Sequence, residues 1–301
     1  MSSKEEVLAF LEKNKEKFCS GAYMASELGI SRNAVWKAVN GLKKEGYAIE
    51  AVTNRGYRLV PGSPDNDRLS VQGLAPYLPE AYLGRIHIYE SLPSTNRTAK
   101  ELAVGGAEDG TVVIANGQTA GSGHADHSFF SPAGGIYMSV VRRPGKLATA
   151  CGQESVWTES GEEAARADGQ KSADLAGAGS HPAMLQGFVP SGNSKNITYM
   201  TAKLVADVIR DVTGISVRVR PVNDLYVGEK KVGGILTEAG SDFDTGELQW
   251  LVIGIGINVS TPADAFPAEI RERAGSLYPD GHALVTRNEL VAAIISRLLE
   301  A

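Results

Sequence analysis

Two cysteines in 301 residues, Cys19 and Cys151, stand in unrelated contexts without metal-ligand spacing. That scarcity argues against a disulfide framework and points to a reducing cytoplasm as the compartment. No run approaches the roughly 18 apolar residues that a membrane span needs. The amphipathic, charged start MSSKEEVLAFLEKNKEK has none of the features of a signal peptide. Net positive charge is missing as well. Thirty Lys and Arg face 35 Asp and Glu, a formal charge of −5, which argues against a protein that coats nucleic acid along its whole length.

The charge is unevenly spread. Residues 1–60 hold ten Lys/Arg and seven Asp/Glu, net +3, and the remainder carries net −8. A mildly basic DNA-contacting module joined to an acidic domain fits that asymmetry. A hydrophobic content of 43% and a charged content of 22% suit sizeable soluble cores, and the length predicts two domains.

Residues 1–62 read as a winged helix-turn-helix. Ser3 with Glu6 makes a capping-box start, and Val7, Leu8, Leu11 and Phe18 mark one helix face. Ser20-Gly21 opens a second helix, and Gly29-Ile30 gives a tight turn. Ser31 then caps a third helix running to Lys44, with Val35, Val39 and Leu42 inward and Arg32, Asn33 and Lys37 outward. The N-terminal end of such a helix enters the major groove. Short segments at Tyr47–Val52 and Tyr57–Val60 flank Thr53-Asn54-Arg55-Gly56, a hairpin turn that sets Arg55 and Arg58 on a wing near phosphates. So modest a charge implies a homodimer reading two half-sites. Pro61 to Asp67 is a turn-rich linker that opens the second domain, 63–301.

In that domain Arg85–Tyr89 alternates like a strand, with His87 on its surface side, and Ser94-Thr95-Asn96 starts a helix through Ala103. Plain capping is one role for Ser94 or Thr95. Val112–Ala115 and Ile136–Val141 are apolar strands joined by a glycine-dense connection able to close its amides on a ligand. Residues 145–196 carry no sustained period and are expected to be a disordered insertion. A mobile lid or a sequence artefact remain the other readings of that segment. Ile197–Val212 is an amphipathic helix ended by Gly214, Ser216–Arg220 a strand, and Trp250–Val259 the longest apolar strand. Gly254-Ile255-Gly256 is not followed by a helix with another glycine, which rejects a dinucleotide fingerprint. Thr286 with Glu289 caps a last helix through Leu299.

Four fragments in this order carry a resemblance: ESLPSTN at 90–96, QTAGSGHADH at 118–127, RPVND at 220–224 with KVGGILTE at 231–238, and VIGIGINV at 252–259. They resemble the biotin protein ligases, specifically the bifunctional type that is also the biotin operon repressor. The resemblance covers 1–144 and 197–300. It implies an α/β (α+β) fold, a winged helix-turn-helix followed by a biotin-ligase-like mixed sheet with helices largely on one face. It also implies biotinyl-5′-AMP formation from biotin and MgATP, then biotin transfer to a lysine of a carboxyl carrier protein. Biotin is expected at Ser94, Thr95, Asn96, Gln118, Ser122, Gly123, His124 and Gly234, nucleotide and Mg²⁺ at His127, Asn223 and Asp224, and a catalytic contact at Arg220. Operator DNA is expected at Ser31, Arg32, Asn33, Lys37, Arg55 and Arg58.

The family loop reads Q-T-A-G-R-G-R-x-G-R, so Ser122, His124 and His127 stand where arginines are expected and Asp126 where a glycine is. A lysine is replaced by Arg220 and a tryptophan by Pro221. The family's small C-terminal β-barrel is expected to be missing. Arginine binds phosphate through a permanently charged fork, and its loss implies impaired catalysis. The alternative is a ligase-dead DNA-binding regulator that senses biotin or a related small ligand. His124, Asp126 and His127 could instead hold a metal, but no fourth ligand is evident and no dedicated metal is assigned.

Overall fold

The structure, a computed structural model, describes residues 2–15, 17–60, 63, 66–123, 128–143, 194–221, 223–242 and 244–300. His124, Asp126 and His127 lie outside the described residues, as does all but the end of the segment expected to be disordered.

The first unit comprises α1 (Ser3–Lys13), α2 (Gly21–Leu28), α3 (Arg32–Lys44) and the antiparallel hairpin β1 (Ile49–Val52) and β2 (Gly56–Leu59). Val7, Leu8, Leu11, Met24, Val35, Val39 and Leu42 form its core. Ser31 caps α3 as expected, accepting from the Ala34 N–H at 3.1 Å, and Gly29 (φ 63°) closes α2. The cap of α1 sits one residue earlier than expected. Ser2 accepts from the Glu5 amide at 3.4 Å and Glu5 accepts from the Ser2 amide at 2.7 Å. The tandem Ser2-Ser3 and Glu5-Glu6 satisfy the box in two registers, and local sequence does not choose between them. Phe18 is not on the face of α1, which ends at Lys13; its ring lies under the Arg55 and Arg58 guanidiniums, 4.2 and 4.4 Å from the centroid.

Side chains around the linker clip the two units together. Asn66 hydrogen-bonds both backbone groups of Ala48 and the Val60 carbonyl. Asp67 pairs with Arg287 at 3.0 Å, where both side chains are largely buried.

After the short helices α4 (Val71–Leu74) and α5 (Glu80–Leu83) come β3 (Ile86–Leu92), α6 (Thr95–Val104), β4 (Val112–Gln118) and β5 (Gly135–Arg142). Then follow α7 (Ser194–Thr213), β6 (Arg218–Arg220), β7 (Asp224–Val227), β8 (Lys230–Ser241), β9 (Leu248–Asn258), a 3₁₀ turn at Ala263–Ala265, α8 (Ala268–Arg271) and α9 (Arg287–Leu299). The seven strands form one mixed sheet in the order β3-β4-β5-β9-β8-β7-β6. Only β3 and β4 run parallel, bridged by α6. Helices α4, α7 and α9 bury one face of the sheet through Val205, Ile209, Leu290, Val291 and Ile294, and α6 packs on the other through Ala99 and Ala103. His87 is exposed on β3. None of the described helices is long and apolar enough to cross a membrane.

Candidate functional site

Strand alternation builds the site. On β9, Leu251, Ile253, Ile255 and Ile257 belong to the main core, which leaves Gly254 and Gly256 on the opposite face. On β5, Met138 and Val140 join that core and Ser139 lies on the other side, registered with Gly254. The face toward α6 is therefore lined with small residues just where α6 begins. A Cβ at Gly254 would stand 2.0 Å from Asn96 Oδ1, and one at Gly256 2.8 Å from the Phe129 ring, so both positions require glycine for close approach. Above this floor opens a cavity of about 280 Å³.

Ser94, Thr95 and Asn96 enter it from the start of α6, all nearly fully buried, and Gln118, Ser122, Gly123 and Phe129 from the end of β4 and its connection. Asn223 and Asp224 enter at the start of β7, and Lys231 and Gly234 from β8. Gln118 Oε1 accepts from the Thr95 amide at 2.8 Å, and its Nε2 donates to Ser131 Oγ at 2.9 Å. Although Ser94 is the N-cap of α6, its side chain makes no cap hydrogen bond; its Oγ lies 3.4 Å from Ser122 Oγ instead. Plain capping is thus not what Ser94 does. Ser139 Oγ reaches Thr95 Oγ1 at 2.9 Å and Asn96 Oδ1 at 2.6 Å. Asn96 Nδ2 donates to Glu238 at 2.8 Å, and Glu238 pairs with Lys100 at 2.8 Å.

Cation placement departs from expectation. Arg220 does not line the cavity: it sits on the sheet-edge strand β6, stacked 4.0 Å from the Tyr226 centroid and paired with Glu229 at 2.5 Å. Hydrogen bonds from Arg220 and then Arg218 hold the Glu229 carboxyl below its ordinary range. Among the described residues the cation that does line the cavity is Lys231, held by Asp224 at 2.6 Å. Lys231, Phe129, Ser131, Ser139 and Glu238 carry no expected role from sequence. The available signal for Ser139 was a lone serine inside the apolar run Ile136–Val141, a strand whose other residues are all suited to burial. Among the described residues no group of three or more His, Cys, Asp or Glu side chains gathers for a metal.

A second surface lies on the first unit. Ser31, Arg32, Asn33, Trp36 and Lys37 are exposed along the first turns of α3, and a groove runs between Arg32, Asn33 and Trp36 and the Thr53-Asn54 turn. Trp36 is 56% exposed, an unusual place for so large a ring, and was not singled out from sequence. Arg55 is exposed. Arg58 is committed to the protein, paired with Glu50 at 2.8 Å besides its stacking on Phe18, because Glu50 lies opposite it in the hairpin register.

Comparison with known proteins places these features. Residues 4–58 match a family model described as an HTH domain, and residues 88–151 and 183–258 one described as the biotin/lipoate A/B protein ligase family. The bifunctional ligase/repressor BirA of Bacillus spizizenii is 31% identical over 278 residues, covering 91% of this chain and 70% of that protein. The bifunctional ligase/repressor BirA of Escherichia coli is 25% identical over 244 residues, covering 81% and 60%. Among solved structures, a biotin protein ligase from Aquifex aeolicus in complex with biotin and ATP aligns at 22% identity with a TM-score of 0.48, covering 71% of this chain and 68% of that one. The chain belongs to the bifunctional ligase/repressor branch of the biotin/lipoate protein ligase family.

Proposed function

We propose that the cavity over Gly254 and Gly256 holds biotin and that the protein couples occupancy of this site to operator binding. The observation that carries this reading is the Thr95–Gln118 pair on the cavity wall, with Thr95 buried and Gln118 half-buried. A ureido ring needs acceptors for its N–H groups and donors for its carbonyl, and an unpaired polar group in such a place costs about 1–3 kcal/mol. Ser94, Thr95, Asn96, Gln118, Ser122, Gly123 and Gly234 surround the vitamin, and His124 completes the loop by resemblance. ATP enters from the β7–β8 side. Mg²⁺ arrives with the triphosphate: a hard cation that keeps several waters suits one protein carboxylate plus phosphate oxygens. Asp224 supplies that carboxylate, Asn223 steadies the turn by donating to the Ile235 carbonyl at 3.1 Å, and His127 borders the nucleotide by resemblance.

Chemistry in this site is positioning and charge stabilisation of the attack by the biotin carboxylate on the α-phosphate. Asp224 already neutralises Lys231, and Ser122 offers no charge. Adenylate formation is therefore slow, and transfer to the lysine of a biotin carboxyl carrier protein is limited by it. The limiting case, a repressor that senses biotin without ligating it, is favoured by the same Lys231–Asp224 pairing. Purified protein incubated with biotin, labelled ATP and carrier should give traceable biotinyl-adenylate at a rate far below that expected of an arginine-bearing loop. Failure to bind biotin in calorimetry sinks the reading altogether.

Operator contact is made by Ser31, Arg32, Asn33 and Lys37 in the major groove, with Arg55 at phosphates, by a homodimer that spans two half-sites in the cytoplasm. Arg32→Ala should lower operator affinity about tenfold. Arg58→Ala should instead lower the melting temperature and leave the salt dependence of DNA binding unchanged, since its charge faces Glu50. Fluorescence anisotropy at several salt concentrations separates the two.

A further inference from the structure

The seam between the two units holds a cleft of about 460 Å³, a size that suits a small organic ligand. Leu59 and Val60 border it on one side, and Gly134, Ser260 and Val285 on the other. Among the described residues its charged groups are Glu12, Lys15, Asp67 and Arg287. Arg287 is paired with Asp67 at 3.0 Å, and Lys15 donates to Tyr77 Oη at 3.0 Å and pairs with Glu289 at 3.5 Å. Glu12 differs. Although it is only 6% exposed, its carboxyl has no hydrogen-bond or ion-pair partner among the described residues. A buried charge without a partner is costly, and burial pushes this carboxyl up to about 7. A proton meets the need in acid; above that pH the need is for another cation.

The chemistry of the walls narrows the kind of cation. The cleft end of α1 is its C-terminal end, where the peptide dipoles favour positive charge. A divalent metal draws on several oxygen ligands, and no group of three or more acidic or metal-binding side chains gathers among the described residues. One carboxylate suffices for an organic ammonium ion. Ser260 Oγ, whose own proton goes to the Gly134 carbonyl at 3.3 Å, has lone pairs for a second N–H, and the apolar walls suit a hydrocarbon body. We propose that this cleft is a binding site for a small primary ammonium ion with an apolar body, held by Glu12 and seated between the DNA-contacting unit and the sheet unit. The site is separate from the cavity over Gly254 and Gly256 and does not depend on the biotin reading. Proton and guest compete for one carboxylate, so affinity rises as pH rises through about 7. Lys15 opposes protonation of Glu12 and Asp67 favours it, while Glu289 and Arg287 are paired to those two. Tyr47, pushed up by its own burial, stays neutral throughout.

The probe is 2-phenylethylammonium chloride, with 2-phenylethanol as its neutral counterpart, titrated into the full chain by calorimetry at pH 8 and pH 5.5 at constant ionic strength. At pH 8 wild type should bind the ammonium at least about tenfold more tightly than at pH 5.5, and at least about tenfold more tightly than the alcohol. Glu12→Gln keeps the shape and removes the buried charge, so the variant stays folded. It should bind the ammonium and the alcohol within about threefold of each other and show no pH dependence. The ammonium should raise the melting temperature of wild type at pH 8 and leave that of the variant in place. The proposal is overturned by any of three results: no binding of the ammonium to wild type at pH 8, equal binding of the alcohol, or wild-type affinity in Glu12→Gln.

Discussion

Replacing Ser122, His124 and His127 together by arginine should raise the rate of biotinyl-adenylate formation by about 100- to 1000-fold, the size of effect seen when one preorganised charge-stabilising donor is lost or gained. Pyrophosphate release at saturating biotin and MgATP measures it. Of the described residues lining the cavity, Lys231 is the cation, and Asp224 holds it at 2.6 Å. A triphosphate entering there meets little uncompensated positive charge. Position 122 is well placed to change that: its side chain reaches Ser94 across the cavity mouth, and its backbone is braced by a bridge to Ser128. A guanidinium there would be permanently charged and would offer a planar fork to phosphate oxygens. Arg220→Ala provides the contrast. Because Arg220 is tied to Glu229 and Tyr226 at the sheet edge, its removal should change the rate by no more than about threefold. A triple-arginine variant that binds biotin normally yet turns over at the wild-type rate would show that charge is not what limits the reaction. A large loss on removing Arg220 would mean that its side chain leaves Glu229 to meet the substrate.

What could be read in the chain follows the range of the interactions. The winged helix was legible because each of its helices announces itself within a dozen residues, through Val35, Val39 and Leu42 or through the Ser31 cap. The register of the first cap was not, since Ser2 and Ser3 compete on equal local terms. Apolar runs marked β4, β5 and β9 as strands, but nothing local says that β9 inserts between β5 and β8, a pairing that joins residues more than a hundred positions apart. The same limit governs the site. Ser94, Thr95, Asn96 and Gln118 sit in contiguous fragments whose polar content stands out from their surroundings. Ser139 and Glu238 reach Thr95 and Asn96 only through cross-strand register, Ser139 opposite Gly254 and Glu238 opposite Val252. The resemblance put the catalytic contact at Arg220 and gave Lys231, eleven residues on, no role. Which one lines the cavity depends on where Glu229 and Asp224 fall, and those neighbours are set by the hairpin pairing of β6, β7 and β8.

Glu12→Gln should stabilise the protein by roughly 2–3 kcal/mol at pH 8 and by less than about 1 kcal/mol at pH 5. Glu12 lies in the last turn of α1, is only 6% exposed, and borders the cleft between the two units. Burial raises its carboxyl to about 7; Lys15 opposes the rise and Asp67 adds to it. Its position at the C-terminal end of a helix disfavours the anion further. The charges about it come from several elements: Lys15 after α1, Asp67 from the linker, Arg287 and Glu289 from α9, with Lys15 and Arg287 already paired to Glu289 and Asp67. In the unfolded chain the group titrates near 4.5, so between that value and about 7 the folded state holds a proton that the unfolded state has released. Stability therefore falls as pH rises through this window and stays at its lower value above it. At about 1.36 kcal/mol per unit the full shift is worth about 3 kcal/mol, and water in the adjoining cleft keeps the effect at or below that figure. Glutamine keeps the shape and cannot ionise, so the variant's stability should lack this decline. Urea titrations of both proteins at pH 5, 6, 7 and 8 measure it, and parallel curves would show that Glu12 is ionised in the fold at no cost.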